Sequence, residues 1–264
     1  MMLHFLKEGE RQSGSTPLVI LHGLFGSGDN WKSIARELAI DRLVIAPDLP
    51  NHGASPHTDR FDYREVARDV AEFLKALSLP PVVLLGHSMG GKVAMSLALQ
   101  EPELVEALLV VDIAPRAYPP RHQEEFEAMD LVRREGAGSR REAEEIMARL
   151  IDLRAVRAFL LKNYVPREDG GYRWRLNLDG LWSHYQQVAD WPDHTGTFDS
   201  PVLVIRGGRS PYIREEDSDG FERLFPGYRL ETIEEAGHWL HAEAKEEFLK
   251  ITARFLARPS ADAG

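Results

Sequence analysis

The pentapeptide Gly86-His87-Ser88-Met89-Gly90 follows an apolar run, Val82 to Leu85, and precedes a helical run, Val93 to Leu99. A serine in a tight strand-to-helix turn projects its hydroxyl above the sheet, and the residues two positions away must be small because the backbone folds back on them. Gly86 and Gly90 meet that demand. A serine hydroxyl is a poor nucleophile until a base takes its proton. Gly237-His238 supplies a base: it follows the extended run Tyr228 to Ile233 and precedes the closing helix, which puts His238 at the carboxyl end of the sheet beside Ser88. The turn His22-Gly23-Leu24-Phe25-Gly26 follows the run Leu18 to Leu21. Such a loop can aim a backbone N–H at the oxyanion formed when serine attacks a carbonyl, so Leu24 or Phe25, together with Met89, is expected to form the oxyanion hole. Of the other histidines, His87 is locked in the serine turn, His22 and His52 sit in turns beside glycine, and His241 is expected to face solvent.

A rival chemistry occupies the same stretch. Gly86-x-x-x-x-Gly91-Lys92 is close to a phosphate-binding loop, and Asp112, after the run Leu108 to Val111, could then hold magnesium. That reading requires Ser or Thr directly after the lysine, where Val93 stands. A zinc site built on His238 and His241 lacks the H-E-x-x-H pattern that would accompany it. No metal and no cofactor is expected.

The elements that must position these residues alternate. Short apolar runs at Leu18 to Leu21, Leu43 to Ala46, Val82 to Leu85, Leu108 to Val111 and Val202 to Ile205 are mostly continuous, as in strands buried on both faces. Helical patterns lie between them: Trp31, Ile34 and Leu38 behind an Asp29-Asn30 cap, and Val66 to Leu77 behind Asp62 with Glu65 as a capping box. This is the signature of an α/β fold with a mostly parallel sheet flanked by helices. From Pro115 to Trp191 the patterns are helical only, with Ser139 and Glu142 as one cap and Asp152 as another. The expected organisation is a core over 1–114, a helical cap inserted over 115–196, and a second part of the core over 197–264, with a frayed tail from Arg258.

Composition narrows the partners. Thirty-two Lys and Arg against 42 Asp and Glu leave a net charge of -10, so neither nucleic acid nor an anionic membrane surface is an expected partner. The longest apolar run, Ala107 to Val111, is far short of the ~20 residues of a membrane span. Met1 to Glu10 has no basic segment ahead of an apolar stretch, so a cytoplasmic location is expected. With no cysteine there is no thiol nucleophile or thiolate metal site. Oligomeric state stays open.

Taken together, His22-Gly23, Asp48-Leu49-Pro50-Asn51-His52-Gly53-Ala54-Ser55, Gly86-His87-Ser88-Met89-Gly90-Gly91 and Ala236-Gly237-His238 resemble the α/β-hydrolase superfamily along nearly the whole chain. Asn51-His52-Gly53-Ala54-Ser55 and Val111-Asp112-Ile113-Ala114-Pro115 resemble, more narrowly, the small YbfF-type bacterial esterases. The resemblance implies an eight-stranded core with a helical cap inserted after strand six, and a cofactor-free serine esterase with Ser88 as nucleophile and His238 as base. In most of the superfamily the triad acid follows the seventh strand, yet after Val202 to Ile205 this chain reads Gly207-Gly208-Arg209-Ser210. Asp112, at the end of the strand that neighbours the nucleophile's, takes the acid role in its place, with Glu215 and Asp217 as less well placed substitutes. Ser210 either lends its hydroxyl to the histidine–aspartate pair or is only a turn residue.

Ile113, Tyr118, Trp182, Tyr185 and Trp239 are the expected substrate-binding residues, because apolar and aromatic side chains around Ser88 suit an acyl chain. The expected activity is hydrolysis of a small-molecule carboxylic ester, or a thioester, of small to medium acyl groups through an acyl-enzyme. Lactonase, perhydrolase or carbon–carbon bond hydrolase chemistry uses the same constellation, and a ligand-binding protein with vestigial activity would keep it too.

Overall fold

The computed structural model describes residues 1–257; the tail expected to fray from Arg258 lies outside them. In chain order the strands are β1 (Phe5–Glu8), β2 (Leu18–Leu21), β3 (Val44–Pro47), β4 (Val82–His87), β5 (Val105–Val111), β6 (Tyr164–Pro166), β7 (Tyr172–Trp174), β8 (Val202–Gly207) and β9 (Arg229–Ile233). Seven of them form one sheet in the order β1-β3-β2-β4-β5-β8-β9. All its neighbours are parallel except the edge pair β1 and β3. The sheet thus has seven strands where eight were expected. Residues 10–17, polar and ending in Pro17, run as turn and coil, so β1 alone precedes β2. For the same reason the insertion follows the fifth strand of the sheet in chain order, not the sixth.

The helices are α1 (Lys32–Leu38), α2 (Tyr63–Ala76), α3 (Met89–Gln100), α4 (Gln123–Glu135), α5 (Arg140–Met147), α6 (Arg154–Leu160), α7 (Leu178–Ser183), α8 (Tyr185–Ala189), α9 (Ser218–Leu224), α10 (Leu240–Glu243) and α11 (Lys245–Leu256). One face of the sheet packs on Phe73 of α2, Val93 and Leu97 of α3 and Phe221 of α9. The other packs on Ile34 and Leu38 of α1 and on Phe248 and Phe255 of α11. β2 and β4 are buried along their whole length, which is why their sequences are continuously apolar rather than alternating. Asp62 caps α2, its carboxylate accepting from Arg64 N and Glu65 N. Ahead of α1 the cap is Ser27, reciprocated by Asn30 Oδ1, rather than the expected Asp29-Asn30 pair.

α4 to α8 lie between β5 and β8 over a third apolar cluster, which Phe25 of the core enters. The stretch is not wholly helical: β6 and β7 form an antiparallel hairpin there. Its turn runs through Gly170 and Gly171, at φ 95° and 74°, a conformation that glycine adopts without steric cost. Leu153, not Asp152, occupies the cap position of α6.

The chain crosses from β3 to β4 on the far side of β2, so the loops leaving β2 and β4 meet at the carboxyl edge of the sheet where strand order reverses. In open α/β sheets that crevice is where ligands bind.

Candidate active site

Ser88 leaves β4 at φ 53° and ψ -121°, a strained conformation for any residue with a side chain. It persists because the surroundings over-determine it. Ser88 N donates to Val111 O at 3.0 Å, the Ser88 carbonyl accepts from Gly91 N and Lys92 N, and α3 starts at once. A Cβ at Gly86 would overlap the Gly90 carbonyl, and one at Gly90 would sit 2.5 Å from His22 O. Ser88 Oγ has no hydrogen-bond partner among the described residues, and its side chain lines the cavity that His238 also lines.

The register Gly86↔Val110 and His87↔Val111 ends β4 and β5 level, so Asp112 emerges beside Ser88. Asp112 is fully buried and itself at φ 52°. Its carboxylate is fully engaged. Oδ1 accepts from Gly207 N at 3.0 Å; Oδ2 accepts from His238 Nδ1 at 2.7 Å and, in a very short contact, from the Ser210 hydroxyl. With Nδ1–H donated to Asp112, the Nε2 of a neutral His238 is left as the acceptor nitrogen. Neither Glu215 nor Asp217 approaches the histidine: Asp217 is buried against Arg116 at 2.6 Å, and Glu215 lies exposed.

The loop after β2 is tied down from three sides. His22 is buried and kept neutral by that burial; its Nε2 accepts from Leu49 N at 2.9 Å, so Nδ1 carries the proton donated to Gly23 O at 2.8 Å. Phe25 adopts φ 61°, and its carbonyl accepts from the buried Asn163 Nδ2 at 2.7 Å. Met89 is the first residue of α3, and its N–H belongs to the turn of a helix that has no internal acceptors. The Asp48 to Ser55 stretch is scaffold: Asp48 takes Gly28 N and Ala54 N, and Ser55 Oγ donates to Asp48 O.

Two chambers open at Ser88. The larger, about 580 Å³, is lined by Leu24, Phe25, Trp31, Val156, Phe159 and Trp239 along with His238. The smaller, about 40 Å³, holds Met89, Ile113, Tyr118, Tyr185, Tyr212 and Lys92. Trp182, expected at the site, lines neither: it is 41% exposed and packs its ring on Phe126 at 4.9 Å. Tyr185 packs on the same Phe126 ring at 5.1 Å, yet only Tyr185 reaches the smaller chamber, which sequence spacing does not reveal.

Lys92 is only 2% exposed and donates to Ala189 O at 3.0 Å and Asp190 O at 2.6 Å, with burial pushing its pKa down to about 7. Its ammonium therefore faces carbonyls of the insertion, and Asp112 is committed to His238, so neither half of the phosphate-loop reading is assembled. Contrary to expectation, His241 does not face solvent: it stacks on Trp31 at 4.2 Å, and burial pushes its pKa down to about 3.

A family model for the alpha/beta hydrolase fold matches residues 16–245. The chain belongs to the α/β-hydrolase family. Among curated relatives of this hydrolase, an sn-1-specific diacylglycerol lipase ABHD11 of Xenopus tropicalis is 43% identical over 248 residues, 91% of this chain and 77% of that one. Esterase YbfF of Escherichia coli K12 is 37% identical over 94% of this chain and 95% of its own. A solved structure of a marine microorganism esterase superposes with a TM-score of 0.92 at 39% identity, covering 96% of this hydrolase and 99% of that chain. This α/β hydrolase is an enzyme of the esterase type.

Two neighbours of the candidate site escaped sequence reasoning, and a third, His87, was read only as locked in the serine turn. Tyr212 stacks on the His238 ring at 4.0 Å and 17°. His87 Nε2 donates to His238 O at 2.8 Å, tying the histidine loop to the serine turn. His122 lines both chambers. Only His87 carried a sequence signal, its place next to Ser88.

Proposed function

We propose that this α/β hydrolase cleaves carboxylic esters, and thioesters, of small to medium acyl groups through an acyl-enzyme on Ser88. One observation carries the reading: Asp112 and His238 are joined at 2.7 Å beneath a cavity that the strained Ser88 also lines. His238 Nε2 takes the Ser88 proton as Oγ attacks the carbonyl carbon. Asp112 holds the imidazole in the accepting tautomer and stabilises the imidazolium, and Ser210 steadies the carboxylate. Backbone N–H groups of Met89 and of Leu24 or Phe25 meet the oxyanion. The imidazolium then protonates the departing alcohol, and water repeats the sequence to release the acid. The larger, apolar chamber takes the acyl chain, and residues 115–196 act as the cap that selects it.

The test pairs two measurements. A fluorophosphonate, read by intact mass, is expected to label the wild type once and Ser88→Ala not at all; equal labelling sinks the assignment. Acyl esters and thioesters of graded length then define the substrate. Phe159→Ala and Trp239→Ala, which enlarge the large chamber, are expected to move the optimum to longer chains, whereas Trp182→Ala is expected to leave the length profile unchanged.

A further inference from the structure

The hydroxyl of Tyr185 accepts from two backbone amides, Arg121 N and His122 N, both at 2.8 Å, and lies 2.6 Å from His122 Nδ1. A phenol oxygen has two lone pairs and one proton. With both lone pairs occupied, the proton is donated to Nδ1, which is therefore the bare nitrogen of the ring. Burial pushes His122 down to about 4, reinforced by the nearby His238 and Arg121, so the ring is neutral at pH 7. Its single proton sits on Nε2, which has no hydrogen-bond partner among the described residues. His122, Ser88 and Leu24 are the residues that line both chambers. A donor with a fixed tautomer thus stands at the junction of the two chambers, its ring held by Tyr185 and Phe25 and its Nε2–H free of hydrogen bonds among the described residues.

We propose that His122 Nε2–H contacts the substrate, donating to the bridging oxygen of the scissile ester and easing departure of the alcohol. The inference rests on the esterase reading above. With the acyl chain in the larger chamber, the alcohol points to the smaller one, and the bridging oxygen lies where they meet. As the tetrahedral intermediate collapses, the bond from carbon to the bridging oxygen breaks and its electron pair stays on that oxygen. The proton comes from the His238 imidazolium. The His122 proton remains on Nε2 and stabilises the developing charge. Tyr185 is a positioning residue that acts by holding the tautomer.

Two esters of one acyl chain test this, the 4-nitrophenyl and the ethyl ester, because nitrophenolate leaves with little help and ethoxide needs much. His122→Phe is expected to lower kcat/KM for the ethyl ester about tenfold, the scale of one hydrogen bond, and to change the nitrophenyl ester less than about threefold. His122→Gln, whose amide nitrogen reaches the Nε2 position, is expected to recover most of the ethyl-ester rate. Tyr185→Phe should shift the ratio in the same direction as His122→Phe, and it carries the comparison if His122→Phe does not fold. Equal losses on both esters, or no loss on the ethyl ester, overturn the proposal. A wild type that Ser88-directed fluorophosphonate labels but whose variants lose both esters equally sinks this inference alone. A wild type inert to both esters and unlabelled sinks the esterase reading, and this inference with it.

Discussion

Asp112 and Ser88 leave adjacent strands at φ 52° and 53°, which brings the carboxylate to His238 and leaves Ser88 lining the cavity that His238 also lines. Asp112→Asn keeps the size but lets the amide favour the wrong tautomer of His238, so kcat is expected to fall by on the order of 10^4, as in other triads. Ser210→Ala removes one hydrogen bond to the same carboxylate and should cost about tenfold. Steady-state kinetics on variants checked by circular dichroism decide this; near-wild-type kcat in Asp112→Asn, with a loss in Glu215→Gln or Asp217→Asn, moves the acid to the loop after β8. Acid stability is set by other histidines. Burial pushes His52 and His241 down to about 3, while in the unfolded chain they titrate near 6.5. Between those values the unfolded state binds more protons, so stability is complete above about pH 6.5 and is lost as pH falls through the window. His241→Phe, which keeps the stack on Trp31, is expected to flatten the decline of Tm between pH 7 and 5. An unchanged slope would mean that folding does not depress the His241 pKa.

The serine turn is the element on which the site depends, and its tolerance is small. Gly90→Ala drives a methyl against the Leu21 and His22 carbonyls, backbone that cannot yield, and is expected to destabilise by roughly 1–3 kcal/mol, read as a lower urea midpoint at unchanged m. Asn163→Ala strips the Phe25 carbonyl of its buried donor; the expected loss is roughly 1–3 kcal/mol, together with a fall in kcat/KM if the loop after β2 carries the proposed oxyanion donors. Stability lost without any change in kcat/KM would make Asn163 a packing residue only. Most of the elements were legible in the chain. β2, β4, β5 and β8 read as apolar runs because both faces of each are covered. The β6–β7 hairpin was not, since three-residue strands leave too little pattern to stand out among helices. Nor was the break at His184 that divides α7 from α8, because the apolar spacing from Leu181 to Val188 continues across it.

At the scale of the whole molecule, the insertion is held to the core by polar contacts at the site itself. Lys92 of α3 grips the carbonyls of Ala189 and Asp190, with the Tyr63 and Tyr118 rings 5.3 and 4.8 Å away. Lys92→Met is expected to raise amide exchange around Val188 to Trp191 while β4 and β5 keep their protection. Uniform loss of protection would show that Lys92 supports the entire fold instead. What the sequence by itself determined was local: a turn serine flanked by glycines, a histidine after the last strand, and strands and helices in alternation. Each follows from sterics and periodicity within about ten residues. Asp112 was the acid expected from the sequence, with Glu215 and Asp217 as substitutes, and the tertiary structure shows which of them meets His238; it alone decided where Lys92 points, which aromatics face the chambers and which nitrogen of His122 carries a proton. Those outcomes depend on contacts across the sheet order, such as Ser210 to Asp112 over 98 residues and His238 to Asp112 over 126, and no local spacing rule constrains groups so far apart in the chain.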